Sequence, residues 1–99
     1  MKQPEAGVAI QVLPRAGDED LIRIVDKVIE HIAESGLNYV VGPFETTIEG
    51  PFDRLMEIVK EVQRICIREG APSVMSYVKI ALSSTGVWSI EEKTSKHQR

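Results

Sequence analysis

Two Gly-Pro dipeptides, Gly42-Pro43 and Gly50-Pro51, bracket the segment Phe44-Glu45-Thr46-Thr47-Ile48-Glu49. Glycine and proline are the strongest local punctuators of regular structure, so any element here must start and stop between the two pairs. Phe44, Thr46 and Ile48 alternate with Glu45, Thr47 and Glu49, the period-2 pattern of a strand with two unlike faces. One face is mostly apolar and suits a core. The other presents two carboxylates separated by a hydroxyl. Glutamate and glycine are poor strand residues, so propensity alone does not account for this segment, and it reads as a ligand-binding strand. Asn38-Tyr39-Val40-Val41, just before the first bracket, makes a short strand that enters it as a hairpin. Pro51 opens a helix at its first position, where the missing N–H is no loss.

The remaining elements follow from periodicity. Val8-Ala9-Ile10-Gln11-Val12-Leu13 reads as a first strand stopped by Pro14, after a polar lead-in over residues 1–6. Asp18 is a candidate N-cap, with Glu19 and Asp20 in the first turn, where the helix dipole favours negative charge. Leu21, Ile24, Val25, Val28, Ile29 and Ile32 follow as one amphipathic stripe, ended by Gly36 in the C′ position. Phe52, Leu55, Ile58, Val59, Val62, Ile65 and Cys66 form the stripe of the second helix, ended by Gly70. Ser73 to Ser83 is the last strand. Ser89-Ile90-Glu91-Glu92 is a capping box that starts a short terminal helix, and Thr94 to Arg99 is a polar, frayed tail.

The order β-α-β-β-α-β plus a short C-terminal helix defines an α+β, ferredoxin-like sandwich over the single domain 1–99. It predicts an antiparallel four-stranded sheet with both long helices on one face. Strands one and three lie in the centre, with four and two at the edges.

Composition narrows function. With a net charge of −3, a pI near 5.4 and aromatic residues at 5%, the chain lacks the basic patch and stacking platforms of a nucleic-acid binder. The lone Cys66 excludes an internal disulfide and falls inside a helical stripe, so it reads as a small buried residue, not a nucleophile. His31 has no second histidine or cysteine at ligand spacing, which predicts no metal. The start Met1-Lys2-Gln3-Pro4-Glu5 has no apolar signal region, and no apolar run is long enough to span a bilayer. These features predict a cytoplasmic protein with no nucleic-acid or membrane partner.

Two helices cover one side of the sheet. With Val8/Ile10/Val12, Phe44/Ile48 and Val78/Ile80/Leu82 facing them, the bare side carries Ala9, Gln11, Leu13, Glu45, Thr47, Glu49, Met75, Tyr77, Lys79 and Ala81. Leu13, Met75 and Tyr77 read as an association surface. Gln11, Glu45, Thr47 and Glu49 read as a small polar pocket. The plainer alternative is a solvated surface on which Glu45, Glu49 and Lys79 pair at little energetic gain. With no catalytic-type histidine nearby and no glycine-rich phosphate loop, an enzyme working through the Glu45/Glu49 pair is disfavoured, and no catalytic residue or cofactor is expected.

Ile10-Gln11-Val12-Leu13-Pro14, Ser35-Gly36-Leu37-Asn38-Tyr39, Ser89-Ile90-Glu91-Glu92-Lys93 and above all the stretch Gly42 to Gly50 resemble the small thiamine-binding protein family related to YkoF. The resemblance runs from about Val8 to Lys93 and is most specific at Glu45-Thr46-Thr47-Ile48-Glu49-Gly50. It implies a ferredoxin-like fold, self-association through the open sheet face into dimers and then a homotetramer, and non-catalytic binding of the vitamin thiamine or its hydroxymethylpyrimidine moiety. Chemistry then distributes roles over the matching residues. Glu45 or Glu49 suits the exocyclic amine or the thiazolium cation, and Gln11, Thr46 and Thr47 suit the ring edge. Tyr39, Tyr77 or Trp88 can lie against a ring face, although core or interface packing is the plainer role for each. The expected ligand-binding set is Gln11, Tyr39, Glu45, Thr46, Thr47 and Glu49. The alternative function is a ferredoxin-like regulatory or assembly module binding a different small effector.

Overall fold

The computed structural model describes residues 3–97, the side chain of Lys96 excepted. Its elements are β1 (Ala6–Pro14), α1 (Asp18–Glu34), β2 (Asn38–Val41), β3 (Thr46–Gly50), α2 (Phe52–Arg68), β4 (Val74–Leu82) and α3 (Ile90–Thr94), closed by a 3-10 turn at Ser95–His97. All strand pairs are antiparallel and the sheet order is β2-β3-β1-β4, the ferredoxin-like arrangement the periodicities predict. The lead-in residues Met1 and Lys2 and the tail residues Gln98 and Arg99 lie outside the described residues.

The core forms between the sheet and the two long helices. Val8 and Ile10 of β1 and Ile48 of β3 are buried against Ile24, Val28 and Ile32 of α1 and Leu55, Val62 and Cys66 of α2. Cys66 sits inside this layer, and burial pushes its thiol up, away from the reactive thiolate. Residues directly opposite one another share a face, so the pairs Val8↔Ile48, Ile10↔Thr46 and Ile10↔Val78 put these side chains on the helix side.

Local ends differ from expectation in instructive ways. Gly17, not Asp18, is the N-cap of α1; Asp18 is the first helical residue and serves the dipole alone, without a side-chain cap bond. Pro51 is the N-cap of α2 instead of its first residue, and the Phe52 N–H donates to the Glu5 carboxylate at 2.7 Å. Gly36, at φ +77°, ends α1 as the sequence predicts. Ile80 and Leu82 lie on the helix side of β4 by register yet remain 51% and 55% exposed. The reason is topological: α2 crosses the sheet from the end of β3 to the start of β4, and leaves the far corner of β4 bare.

Phe44 departs most. It does not join the core face of β3 but stands 80% exposed. The Gly42 N–H donates to the Glu45 carbonyl at 2.9 Å, which closes a tight turn with Pro43 and Phe44 at its tip, and the strand starts only at Thr46. Pro43 fixes its own φ near −65°, a value suited to the second position of a turn. A Cβ on Gly42 would stand 2.9 Å from the Glu45 carbonyl oxygen, so the close approach at the turn's base requires glycine.

The central position of Ile48 can be checked directly. Ile48→Ala should cost about 2–5 kcal/mol of stability, as large-to-small changes in a packed core do. Urea unfolding should show the midpoint falling at constant slope; an unchanged midpoint would mean Ile48 does not anchor the core.

Candidate functional site

The late start of β3 shapes the site. β1 pairs with β4 over its whole length, from Ala6↔Leu82 to Pro14↔Val74, but with β3 only from Ala6↔Gly50 to Ile10↔Thr46. Past Ile10, β1 therefore has no strand partner on its β3 side. A cleft of about 260 Å³ opens there, between the α1 side chains Leu21, Val25 and Ile29 and the turn Gly42–Glu45. Gln11, Val12 and Leu13 form its sheet wall, and Glu45 and Thr46 lie at the turn. The walls are largely apolar and the polar groups are few, the usual make-up of a small-molecule site.

Of the six expected ligand residues, Gln11, Glu45 and Thr46 line this cleft. Thr46 does so from the helix side of the sheet and is 8% exposed, so it reaches the cavity from within the core layer. Thr47 and Glu49 point to the opposite face, as their alternation requires. Tyr39, paired with Ile48, packs against the core on the helix side. The sequence therefore grouped residues that the pleat separates.

Glu45 is held by Lys79, whose Nζ lies 2.8 Å from Oε1 across the intervening β1. The two side chains are 33% and 73% exposed, and exposed pairs of this kind contribute at most about 1 kcal/mol. A ligand cation or amine can therefore displace Lys79 at little cost. Glu49 is engaged differently. Its Oε1 accepts from the Ile90 N–H at 2.6 Å and its Oε2 from Asn38 Nδ2 at 2.9 Å. It thus anchors α3 on the open face of the sheet, a placement the sequence did not reveal. The capping box forms as expected: Ser89 Oγ accepts from the Glu92 N–H at 3.0 Å, and Glu92 Oε1 accepts from the Ser89 N–H at 2.8 Å.

A second cavity, about 370 Å³, lies beneath α3. Ala9, Val40 and Thr47 form its floor, and Lys79 and Lys93 stand among its lining. Two cations and no carboxylate make it unfavourable for a positively charged guest. A third hollow, around Glu49, Glu91 and Glu92, is acidic, but two of these carboxylates are spent on anchoring and capping α3. Of these three hollows, the cleft beside α1 combines a displaceable carboxylate with apolar walls. Among the described residues no group of His, Cys, Asp and Glu side chains is arranged to hold a metal, and no helix is long and apolar enough to cross a membrane.

Sheet, helices and edge cleft together define a ferredoxin-like domain with a small-molecule-sized cavity at the free edge of its first strand. The sequence profile of the thiamine-binding protein family matches residues 8–98, and the chain belongs to that family. A UPF0045 protein of Clostridium perfringens is 50% identical over 91 residues, 92% of this chain and 95% of that protein. Among solved structures, a domain of unknown function (DUF77) from Bacillus cereus superposes with a TM-score of 0.87 at 40% identity, covering 99% of this chain and 93% of that one. A Thermotoga maritima protein whose proposed role is thiamine biosynthesis or salvage gives a TM-score of 0.85 at 37% identity, covering 96% of this chain and 100% of that one.

The capping box makes a pH-dependent prediction. The Ser89 N–H, with Gln3 in support, holds the Glu92 carboxyl below its ordinary value of 4.5. A depressed folded-state value means the stabilisation is complete above the ordinary value and is lost as pH falls through the lowered one. An NMR titration of the Glu92 carboxyl carbon should give a midpoint below 4.5; an unshifted midpoint would show the box open in solution.

Proposed function

We propose that this chain is a non-catalytic, homo-oligomeric binding protein for thiamine or its hydroxymethylpyrimidine moiety, working in the cytoplasm. The observation that carries the reading is the cleft between α1 and the Gly42–Glu45 turn, where one exchangeable carboxylate meets an apolar channel of heteroaromatic size. Thiamine combines a flat aminopyrimidine with a cationic thiazolium. The Glu45 carboxylate accepts from the exocyclic amine or faces the cation, in either case with the added strength of a charged partner. The Gln11 amide offers both a donor and an acceptor to the ring edge. Leu21, Val25 and Ile29 supply the apolar wall. Membership of a thiamine-binding family and the role proposed for the Thermotoga neighbour support the same ligand class.

Association uses the half of the open sheet face that α3 leaves bare. Leu13 opposes Met75 and Gln11 opposes Tyr77 there, and all three apolar side chains are exposed. Packing this patch on its counterpart in a second copy removes it from water and gives a dimer, which pairs again into a tetramer. A second reading, a regulatory module for a different and anionic small effector, is favoured by the lysine-lined cavity beneath α3.

Calorimetric titration with thiamine and hydroxymethylpyrimidine separates the two readings, on protein shown by light scattering to have at least twice the 11.0 kDa mass of one chain. The expected result is binding by the oligomer and a loss of about tenfold or more in Glu45→Gln, from a hydrogen bond to a charged group worth roughly 1.5–3 kcal/mol. Absence of heat with both compounds would remove this ligand class. A monomer at micromolar concentration would remove the association.

A further inference from the structure

We propose that Phe44 closes the cleft over the bound ring and sets its preference for flat heteroaromatic ligands, an inference that rests on the ligand class given above. The side chain is 80% exposed at the tip of the turn, and it lines the cleft together with the aliphatic residues of α1. Its position is built. The bond from the Gly42 N–H to the Glu45 carbonyl fixes the turn, Pro43 restricts the residue before Phe44, and glycine is required at position 42 by the 2.9 Å approach to that carbonyl. A bulky apolar side chain set in water at the rim of an apolar cavity, on a turn whose backbone is fixed, is arranged for a partner that arrives in the cavity.

The adjacent residue states what that partner presents. Glu45 lines the same cleft, with its carboxylate on Lys79 across β1, so polar recognition of a ring's edge and apolar recognition of its face come from consecutive residues of one turn. Leu21, Val25 and Ile29 meet one face of the ring, and the Phe44 phenyl meets the other in offset or edge-on contact. The negative face of the phenyl also favours a cationic ring over a neutral one. Phe44 thereby determines specificity in two ways: it rewards flatness, and it rewards positive charge.

The test compares Phe44→Ala, Phe44→Leu and Phe44→Tyr with the unmodified chain by calorimetry, using thiamine and hydroxymethylpyrimidine as probes and light scattering for mass. Because the side chain is exposed, all three variants should fold with unchanged thermal midpoints. Phe44→Ala should weaken thiamine binding about tenfold, the neutral pyrimidine by less, with Phe44→Leu intermediate and Phe44→Tyr near the unmodified chain. Equal affinity in Phe44→Ala and the unmodified chain would overturn the inference while leaving the ligand class intact. A loss of affinity that accompanies a fall in mass would overturn it too, since Phe44 would then be a contact between copies. If the unmodified chain binds neither compound, the ligand class fails and this role of Phe44 fails with it.

Discussion

The unequal pairing of β1 governs this structure. On one side β1 is matched by β4 along its full length; on the other, β3 begins only at Thr46 because the Gly42–Glu45 turn takes up the residues that would have extended it. A strand left unpaired on one edge exposes backbone groups that must be satisfied or covered. Here α1 and the turn wall off that edge without filling it, and the cleft is the result. A longer β3 would close the sheet and abolish the cavity. The glycine at position 42 is thus as consequential for the site as any polar side chain in it.

The sheet also sorts its carboxylates. Glu45 and Glu49 lie four residues apart on one strand face or its extension, and nothing in their chemistry distinguishes them. Their surroundings do. Glu49 receives two short hydrogen bonds and ties α3 to the sheet, so recruiting it for a ligand would release the C-terminal helix. Glu45 has a single exposed lysine partner, which a ligand can replace. Lys79 sits between the two cavities, balancing Glu45 on one side and lending positive charge to the hollow beneath α3 on the other. The sheet therefore borders two hollows of opposite charge, one with Glu45 beside α1 at the edge of β1 and one with Lys79 and Lys93 beneath α3 on the open face.

Most of the architecture was legible because period-2 and period-3.6 patterns were well separated and punctuated by Gly36, Gly50-Pro51 and Gly70. The bare-face set from Ala9 to Ala81 follows from strand alternation once the central strands are phased, and the register bears it out. The capping box at Ser89 was equally readable, being local. Failures came where a contact spans distant segments. The anchor from Glu49 to Ile90 joins residues far apart in the chain, and no short-range pattern encodes it. Tyr39 and Thr46 were grouped with Thr47 and Glu49 by residue type, while the pleat turns both toward the helices, which is how Thr46 comes to line the cleft. Phe44 was misplaced because its alternation with Ile48 continues into the turn; Pro43, which favours the second position of a turn, was the signal that the strand had not begun.

The central claim is that a small heteroaromatic ligand enters between α1 and the Gly42–Glu45 turn and meets the Glu45 carboxylate. A crystal structure of the oligomer grown with thiamine tests it most directly. The account predicts density for the aminopyrimidine in that cleft, with its amine or the thiazolium at hydrogen-bond or ion-pair distance from Glu45 and Lys79 swung away. Density beneath α3, against Glu49, or at any surface remote from the turn would contradict it.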